Sequence, residues 1–256
     1  MVKMVALDLD GTLLEASGMI AQTTLEQLAK ISEGGCKIAI ATGRPYIRTL
    51  DPLQKNHLYP QGSFPQFLIC EERDVYELGE HGYVAWESNQ ATLEEERSHL
   101  SLSHRLLSQL EKIAPTLEFA INNAYSQTSR GFVETYFVYP HEAHEAFEVL
   151  TDLAVGTPLK VTRNSRNVCL RSRKVGKGLT LKRVANYCSL GLSEVLAVGD
   201  SHNDLEMLIS GVVSATTNNA DEMIKEVVRQ TRGLISSLDH SLGVGQIIQR
   251  VVGTGE

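Results

Sequence analysis

The chain is short of the features that mark specialised protein classes. Its four cysteines, Cys36, Cys70, Cys169 and Cys188, lie far apart, with no CxxC pair and none beside a histidine. That argues against a disulfide scaffold and a cysteine-built zinc site, and places the thiols as small hydrophobes in a reduced, cytoplasmic setting. No run of 18 apolar residues occurs, so no segment is suited to cross a bilayer as a helix. The first residues enter a strand pattern at once, in place of a basic region and an apolar signal core, and the chain is expected to be neither exported nor embedded. Positive charge is scarce as well: Lys plus Arg number 24 against 31 Asp plus Glu, a formal charge of -7. This disfavours a broad nucleic-acid surface but leaves room for a local basic site that takes a small phosphate ester. His81, His99, His104, His141 and His144 form no compact zinc-ligand pattern. What is present, 42% hydrophobic and 21% charged residues over 256 positions, supplies a core for one large domain or two modest ones.

Val5 to Leu9 is an apolar stretch that runs into polar residues and Gly11, as a buried strand entering a turn should. Ile20, Thr24, Leu28 and Ile31 recur at helical spacing before Gly34-Gly35, and residues 36–41 read as a second buried strand that stops at Thr42-Gly43-Arg44-Pro45. Pro45 suits the first turn of a helix through about residue 50, and 66–70 is a third strand. Near the other end the pattern returns: a helix over 177–189, a strand over 195–199, a short helix over 203–209, a strand at 212–214 and a helix over 220–228. Nearly continuous hydrophobic strands alternating with helices predict a Rossmann-like parallel sheet with helices on both faces. The middle differs. Helical patterns at 98–114 and 141–154 are mixed with strand formers at 118–121, 133–138, 159–162 and 168–170, while 84–97 fits no element. This mixture predicts a small α+β domain, its sheet covered on one face, inserted at about 80–167 into a core made of 1–79 and 168–256.

The chemistry gathers at strand ends. Asp8 closes a buried strand, where an unpaired carboxylate would be costly, so it should emerge at the carboxyl edge of the sheet, the edge at which open parallel sheets bind ligands. Asp10 shares its side of the chain through the two-residue period, and Gly11 permits the tight exit. Two neighbouring carboxylates require a cation or a shared proton. Gly199-Asp200-Ser201-His202-Asn203-Asp204 ends another buried strand and adds hard oxygen donors of the type magnesium prefers. Thr42 and Gly43 end the second strand, and Lys177 opens a helix; a hydroxyl, a backbone N–H and an ammonium complement the acids as acceptors of a phosphoryl oxygen.

DLDGTL at 8–13, ATGRP at 41–45, KGLTL at 177–181 and GDSHNDLEML at 199–208 resemble, in this order, the four motifs of the haloacid dehalogenase-like phosphatases. The inserted segment resembles the cap of the Cof-type (subclass IIB) branch by position and length, and Asn219-Ala220 and the segment from Asp239 to Val244 resemble its terminal motifs. The resemblance implies a phosphatase acting on a small phosphorylated metabolite, a sugar phosphate foremost, through a phosphoaspartate. Asp8 would be the nucleophile. Mg²⁺ would be held by Asp8, the Asp10 backbone carbonyl and Asp200, with Asp204 supporting the metal shell or Lys177. Asp10 would be the acid and then the base; Thr42, Gly43, Arg44, Asn203 and Lys177 would contact substrate. Lys174 competes with Lys177 for its role, His202 reads as a loop residue, and Arg44 reads equally as a phosphate contact or a surface ion pair.

One departure stands out. Where many Cof-type chains have Asn-Gly-Ala after the third strand, this one has Cys70-Glu71-Glu72-Arg73. The added negative charge either alters substrate preference or is absorbed in ion pairs. Arg130, Arg163 and Arg166 are further basic candidates within the insertion. Alternatives to a sugar phosphatase are a phosphoglycolate phosphatase, a sugar phosphomutase that returns phosphate to its substrate, and a noncatalytic sensor that retains the pocket.

Overall fold

The computed structural model describes residues 1–60, 62–119 and 130–252. The chain forms two compact units, Met1–Trp86 with Gly176–Glu256, and Glu87–Val175. The first begins with β1 (Met4–Leu7), α1 (Gln22–Glu33), β2 (Lys37–Ala41), α2 (Tyr46–Lys55) and β3 (Phe67–Cys70), followed by a hairpin of β4 (Asp74–Gly79) and β5 (Gly82–Ala85). The second contains α3 (Ser88–Arg97), α4 (Leu100–Ile113), β6 (Val133–Tyr136), α5 (Pro140–Leu153), β7 (Leu159–Asn164) and β8 (Asn167–Ser172). The chain then returns with α6 (Lys177–Tyr187), β9 (Val195–Val198), α7 (Leu205–Leu208), β10 (Val213–Thr216), α8 (Glu222–Gln230), β11 (Leu234–Ile235) and α9 (His240–Val251).

In the first unit eight strands run in the order β11-β10-β9-β1-β2-β3-β4-β5. All neighbours from β11 to β3 are parallel, and β4 and β5 add an antiparallel edge. All four residues of β1 are buried, because both faces of the sheet are covered. Val5 and Leu7 pack on one side with Leu28 of α1 and Val244 and Ile247 of α9. Met4 and Ala6 pack on the other with Leu181 and Val184 of α6 and Ile224 and Val228 of α8. The close approach of α1 and α9 depends on a missing side chain: a Cβ on Gly245 would lie 2.7 Å from Thr24 Oγ1. From β1 the chain builds outward first through β2 and β3, then on the opposite side through β9 and β10. The crevice at the carboxyl ends of β1, β2 and β9 is therefore the topological switch point.

The second unit is a three-stranded antiparallel sheet in the order β6-β8-β7. Val133, Leu159, Val168 and Leu170 join Leu106 and Leu110 of α4 and Ala146 and Leu150 of α5 in one apolar cluster. Arg171 is buried and forks onto Glu96, Nε at 2.6 Å and Nη2 at 2.9 Å, with Phe132 under its guanidinium at 3.9 Å. The expected insertion at 80–167 is placed differently by the structure. β4 and β5 extend the large sheet, which carries the first boundary to residue 86, and β8 is the central strand of the small sheet, which carries the second to residue 175. Residues 88–97, unassigned by pattern, form α3. Of the expected strand at 118–121, Phe119 forms a single bridge to Phe137, and Ala120 and Ile121 lie outside the described residues. Among the described residues no helix is long and apolar enough to cross a membrane.

Leu7→Ala removes a fully buried side chain from the central strand and should cost about 2–5 kcal/mol in urea unfolding. A loss below about 1 kcal/mol would contradict the placement of β1 at the centre of the cooperative core.

Candidate active site

β1 delivers Asp8 to the switch point, where its backbone N–H donates to the Val198 carbonyl of β9 at 2.9 Å. The side chain is buried, and its Oδ1 accepts from Lys177 Nζ at 2.5 Å. Lys177 is the first residue of α6 and is completely buried. Its ammonium also donates to Asp204 Oδ1 at 2.6 Å. The other oxygen of Asp204 accepts the backbone N–H groups of Asp200 at 3.0 Å and Ser201 at 3.1 Å, which ties the loop after β9 into a tight turn. Asp200 completes the group: oxygens of Asp8, Asp200 and Asp204 all lie within 4.8 Å of one another. Thr12 Oγ1 donates to Asp200 Oδ1 at 2.6 Å. Between them Gly11 has a φ of +82°, and a Cβ there would meet Asp200 Oδ2 at 2.5 Å, so both backbone and space require glycine.

The electrostatics follow from this crowding. Burial, followed by the charge of Asp204, pushes the Asp8 carboxyl well above the ordinary carboxylate range. The same two causes raise Asp200 to about 6, opposed by hydrogen bonds from Thr12 and with Asp8. Burial alone would push the Lys177 ammonium down, but Asp204, Asp8 and Glu72 together hold it above its ordinary value. Asp8, Asp200 and Asp204 thus share one ammonium, with Glu72 acting on it as well, and when all are ionised negative charge is in surplus. A divalent cation would offset that surplus, and the hard oxygens of Asp8 and Asp200 match the ligand preference of Mg²⁺. The oxygens of Asp204 are engaged by Lys177 and two backbone N–H groups, so it supports the cluster from behind.

Asp10 lies apart from the acid cluster. Its carboxylate takes a two-pronged contact from Arg44, Nε to Oδ2 at 2.7 Å and Nη2 to Oδ1 at 2.5 Å, and this contact comes first among the causes that raise the guanidinium above its ordinary value. Arg44 is therefore the partner of Asp10. Thr42 is buried at the end of β2, fixed by its N–H on the Ile69 carbonyl at 2.8 Å, and its hydroxyl accepts the Arg44 N–H at 3.1 Å. Gly43 follows it. Asn203, in the turn His202–Asp204, accepts Ser201 Oγ at 2.5 Å and donates from Nδ2 to Glu72 Oε1 at 3.4 Å. Lys177, and not Lys174, meets the acids; Lys174 Nζ contacts Glu95 at 3.3 Å.

Four residues, Thr12, Asn219, His240 and Glu72, were not among the catalytic, binding or metal groups named in the sequence reading. Thr12 bonds Asp200, and its position directly after Gly11 was the available signal. Asn219 Nδ2 at 2.7 Å and His240 Nδ1 at 3.0 Å both reach the Gly11 carbonyl and brace the nucleophile loop from the far side of the sheet order. Glu72 enters the site beside Asn203.

Residues 5–72 and 66–245 match the haloacid dehalogenase-like hydrolase family. The chain belongs to that family. It is a hydrolase of the phosphatase type, carrying the family's acid cluster at the expected sheet edge. Among its curated relatives, a phosphoglycolate phosphatase of Picrophilus torridus is 24% identical over 239 residues, covering 91% of this chain and 86% of the relative. The 5-amino-6-(5-phospho-D-ribitylamino)uracil phosphatase YcsE of Bacillus subtilis is 22% identical and covers 98% of this chain and 96% of its own. The sucrose-phosphatase of Synechocystis sp. PCC6803, solved with sucrose and phosphate, superposes with a TM-score of 0.70 at 18% identity, covering 98% of both chains. This last likeness is one of fold.

Asp8 and Asp200 hold a proton more tightly in the folded hydrolase than in the unfolded chain. Metal-free stability should therefore fall as pH rises from the ordinary carboxylate range through about 6, the value for Asp200. A cation that replaces the proton reverses this loss. The rise in melting temperature produced by Mg²⁺ should be larger at about pH 7.5 than at about pH 5, and Asp200→Asn should remove most of it. Equal shifts at the two pH values would contradict the assignment.

Proposed function

We propose that this hydrolase is a Mg²⁺-dependent phosphatase that releases inorganic phosphate from a small phosphorylated sugar or polyol, through a phosphoaspartate on Asp8. The observation that carries the reading is the buried contact of Lys177 with Asp8 and Asp204 at 2.5 and 2.6 Å. It fixes the Asp8 carboxylate at the sheet edge with an ammonium beside it, which is the arrangement a nucleophile needs to approach a negatively charged phosphorus. A bound Mg²⁺, held by Asp8, Asp200 and the Asp10 carbonyl, supplies charge neutralisation of the transferring phosphoryl group.

The protein's own groups divide the remaining work. A carboxylate oxygen of Asp8 attacks phosphorus in line, forming the acyl phosphate as the ester P–O bond breaks. Asp10 turns from Arg44, takes up a proton from solvent and passes it to the departing alcohol oxygen. In the second half Asp10 takes a proton from water as that water attacks the acyl phosphate, and Asp8 returns to a carboxylate. Thr42, Gly43 and Asn203 hold the phosphoryl oxygens, and Lys177 balances charge as it develops. Arg44 keeps Asp10 at the rim until substrate displaces it.

The polyol preference draws support from the relative named for a ribitylaminouracil phosphate, which spans nearly the whole chain. The relative named a phosphoglycolate phosphatase favours a second reading, in which the leaving group carries a carboxylate. Phosphate release from a panel of sugar, polyol and carboxylate phosphates separates the two. Asp8→Asn should lower turnover about a thousandfold or more while leaving the folded state intact. Equal turnover in wild type and Asp8→Asn would overturn the nucleophile. Recovery of an isomerised phosphosugar in place of inorganic phosphate would identify a mutase.

A further inference from the structure

Beyond Cys70 the chain turns through Glu71 and Glu72, whose φ angles are 51° and 60°. This left-handed region suits glycine, and two successive glutamates there are unusual. Both side chains are buried, and they serve different ends. Glu71 Oε2 lies 3.3 Å from Arg73, which also meets Asp74 at 3.0 Å, so this charge is absorbed in a buried ion-pair group. Glu72 turns toward the site. Its Oε1 accepts from Asn203 Nδ2 at 3.4 Å and lies 3.7 Å from the point that a Cβ on Gly43 would occupy. Its backbone is pinned on both sides, the N–H to the Thr42 carbonyl at 3.0 Å and the carbonyl to the Thr180 hydroxyl at 2.9 Å. Its charge also acts on Lys177. A carboxylate is thus fixed among Thr42, Gly43, Asn203 and Lys177, the groups that the proposed function assigns to phosphoryl oxygens.

We propose that Glu72 is a specificity-determining residue of this site: a fixed negative charge in the phosphoryl cradle that weakens its hold on phosphate itself. The inference rests on the phosphatase reading and deepens it. Two like charges a few ångströms apart at a half-buried site repel strongly enough to change affinity by an order of magnitude or more. The cost falls on any ligand recognised by its phosphate alone, free inorganic phosphate above all. Product therefore leaves readily, and a substrate must gain its affinity through its alcohol portion. The competing role is purely structural, with Glu72 serving as a hydrogen-bond acceptor, for Asn203 among others. Glutamine separates the two roles, since its amide oxygen keeps that acceptor and removes the charge.

The experiment is calorimetric titration of inorganic phosphate into the Mg²⁺-loaded protein, which needs no turnover. Glu72→Gln should bind phosphate about tenfold more tightly than wild type, or better. Glu72→Gly, which also relieves the left-handed backbone, should move the same way and keeps the test open if the glutamine variant folds poorly. Glu71→Gln, whose charge is engaged by Arg73, should leave the affinity within about threefold. Unchanged or weaker phosphate binding in both Glu72 variants would overturn the proposal, as would an equal tightening in Glu71→Gln. Hydrolysis of phosphate esters by wild type is scored separately, so failure of the phosphatase reading shows there, and failure of the Glu72 proposal shows in the titration.

Discussion

A single ammonium buried among carboxylates sets the terms for the rest of the molecule. Lys177 has no exposure to water, and it holds Asp8, 169 positions away in sequence, and Asp204, 27 positions away, through its hydrogen bonds. Removing it would strand buried negative charge at two strand ends, at a cost of several kcal/mol. Its presence still leaves the cluster short of positive charge. The parallel sheet, with β1 at its centre and connections leaving on both sides, brings these groups together, and the charge imbalance makes a site that can hold a divalent cation. Fold, stability and chemistry meet in the same few atoms.

The loops around that ammonium are built with little slack. Gly11 has no room for a side chain beside Asp200, Thr12 fixes one Asp200 oxygen, and Asn219 and His240 hold the Gly11 carbonyl. These contacts come from segments separated by 188 to 229 positions, so the nucleophile loop is braced by the far half of the core sheet. Asp10 is the exception, half-exposed at the rim and held by the Arg44 guanidinium. The acid and base role proposed for Asp10 would benefit from that freedom, whereas the nucleophilic role proposed for Asp8 would benefit from having none.

Much of this was legible in the sequence, for physical reasons that differ by residue. Buried parallel strands leave continuous apolar runs, so β1, β2, β3 and β9 are readable, and the carboxylates that end them are conspicuous because charge seldom sits there. The hairpin of β4 and β5 was hidden because its residues are mostly half-exposed and give no such run. α3 was hidden because Glu96 is its one buried residue, which leaves no apolar stripe to count. Arg44 was undecided between phosphate and ion pair, since only the folded loop brings Asp10 within reach. Glu71 and Glu72 are chemically identical neighbours, and only the folded turn shows that one meets Arg73 and the other meets Asn203.

The central claim is that the acid cluster around Lys177 is completed by one divalent cation. Anomalous diffraction from crystals soaked in Mn²⁺, used in place of Mg²⁺, tests it most directly. The account predicts a single strong peak at the acid cluster beside Asp8 and Asp200, with Lys177 still bonded to Asp8 and Asp204. A fully soaked crystal with no peak there, or with its metal bound only at other carboxylates, would contradict it.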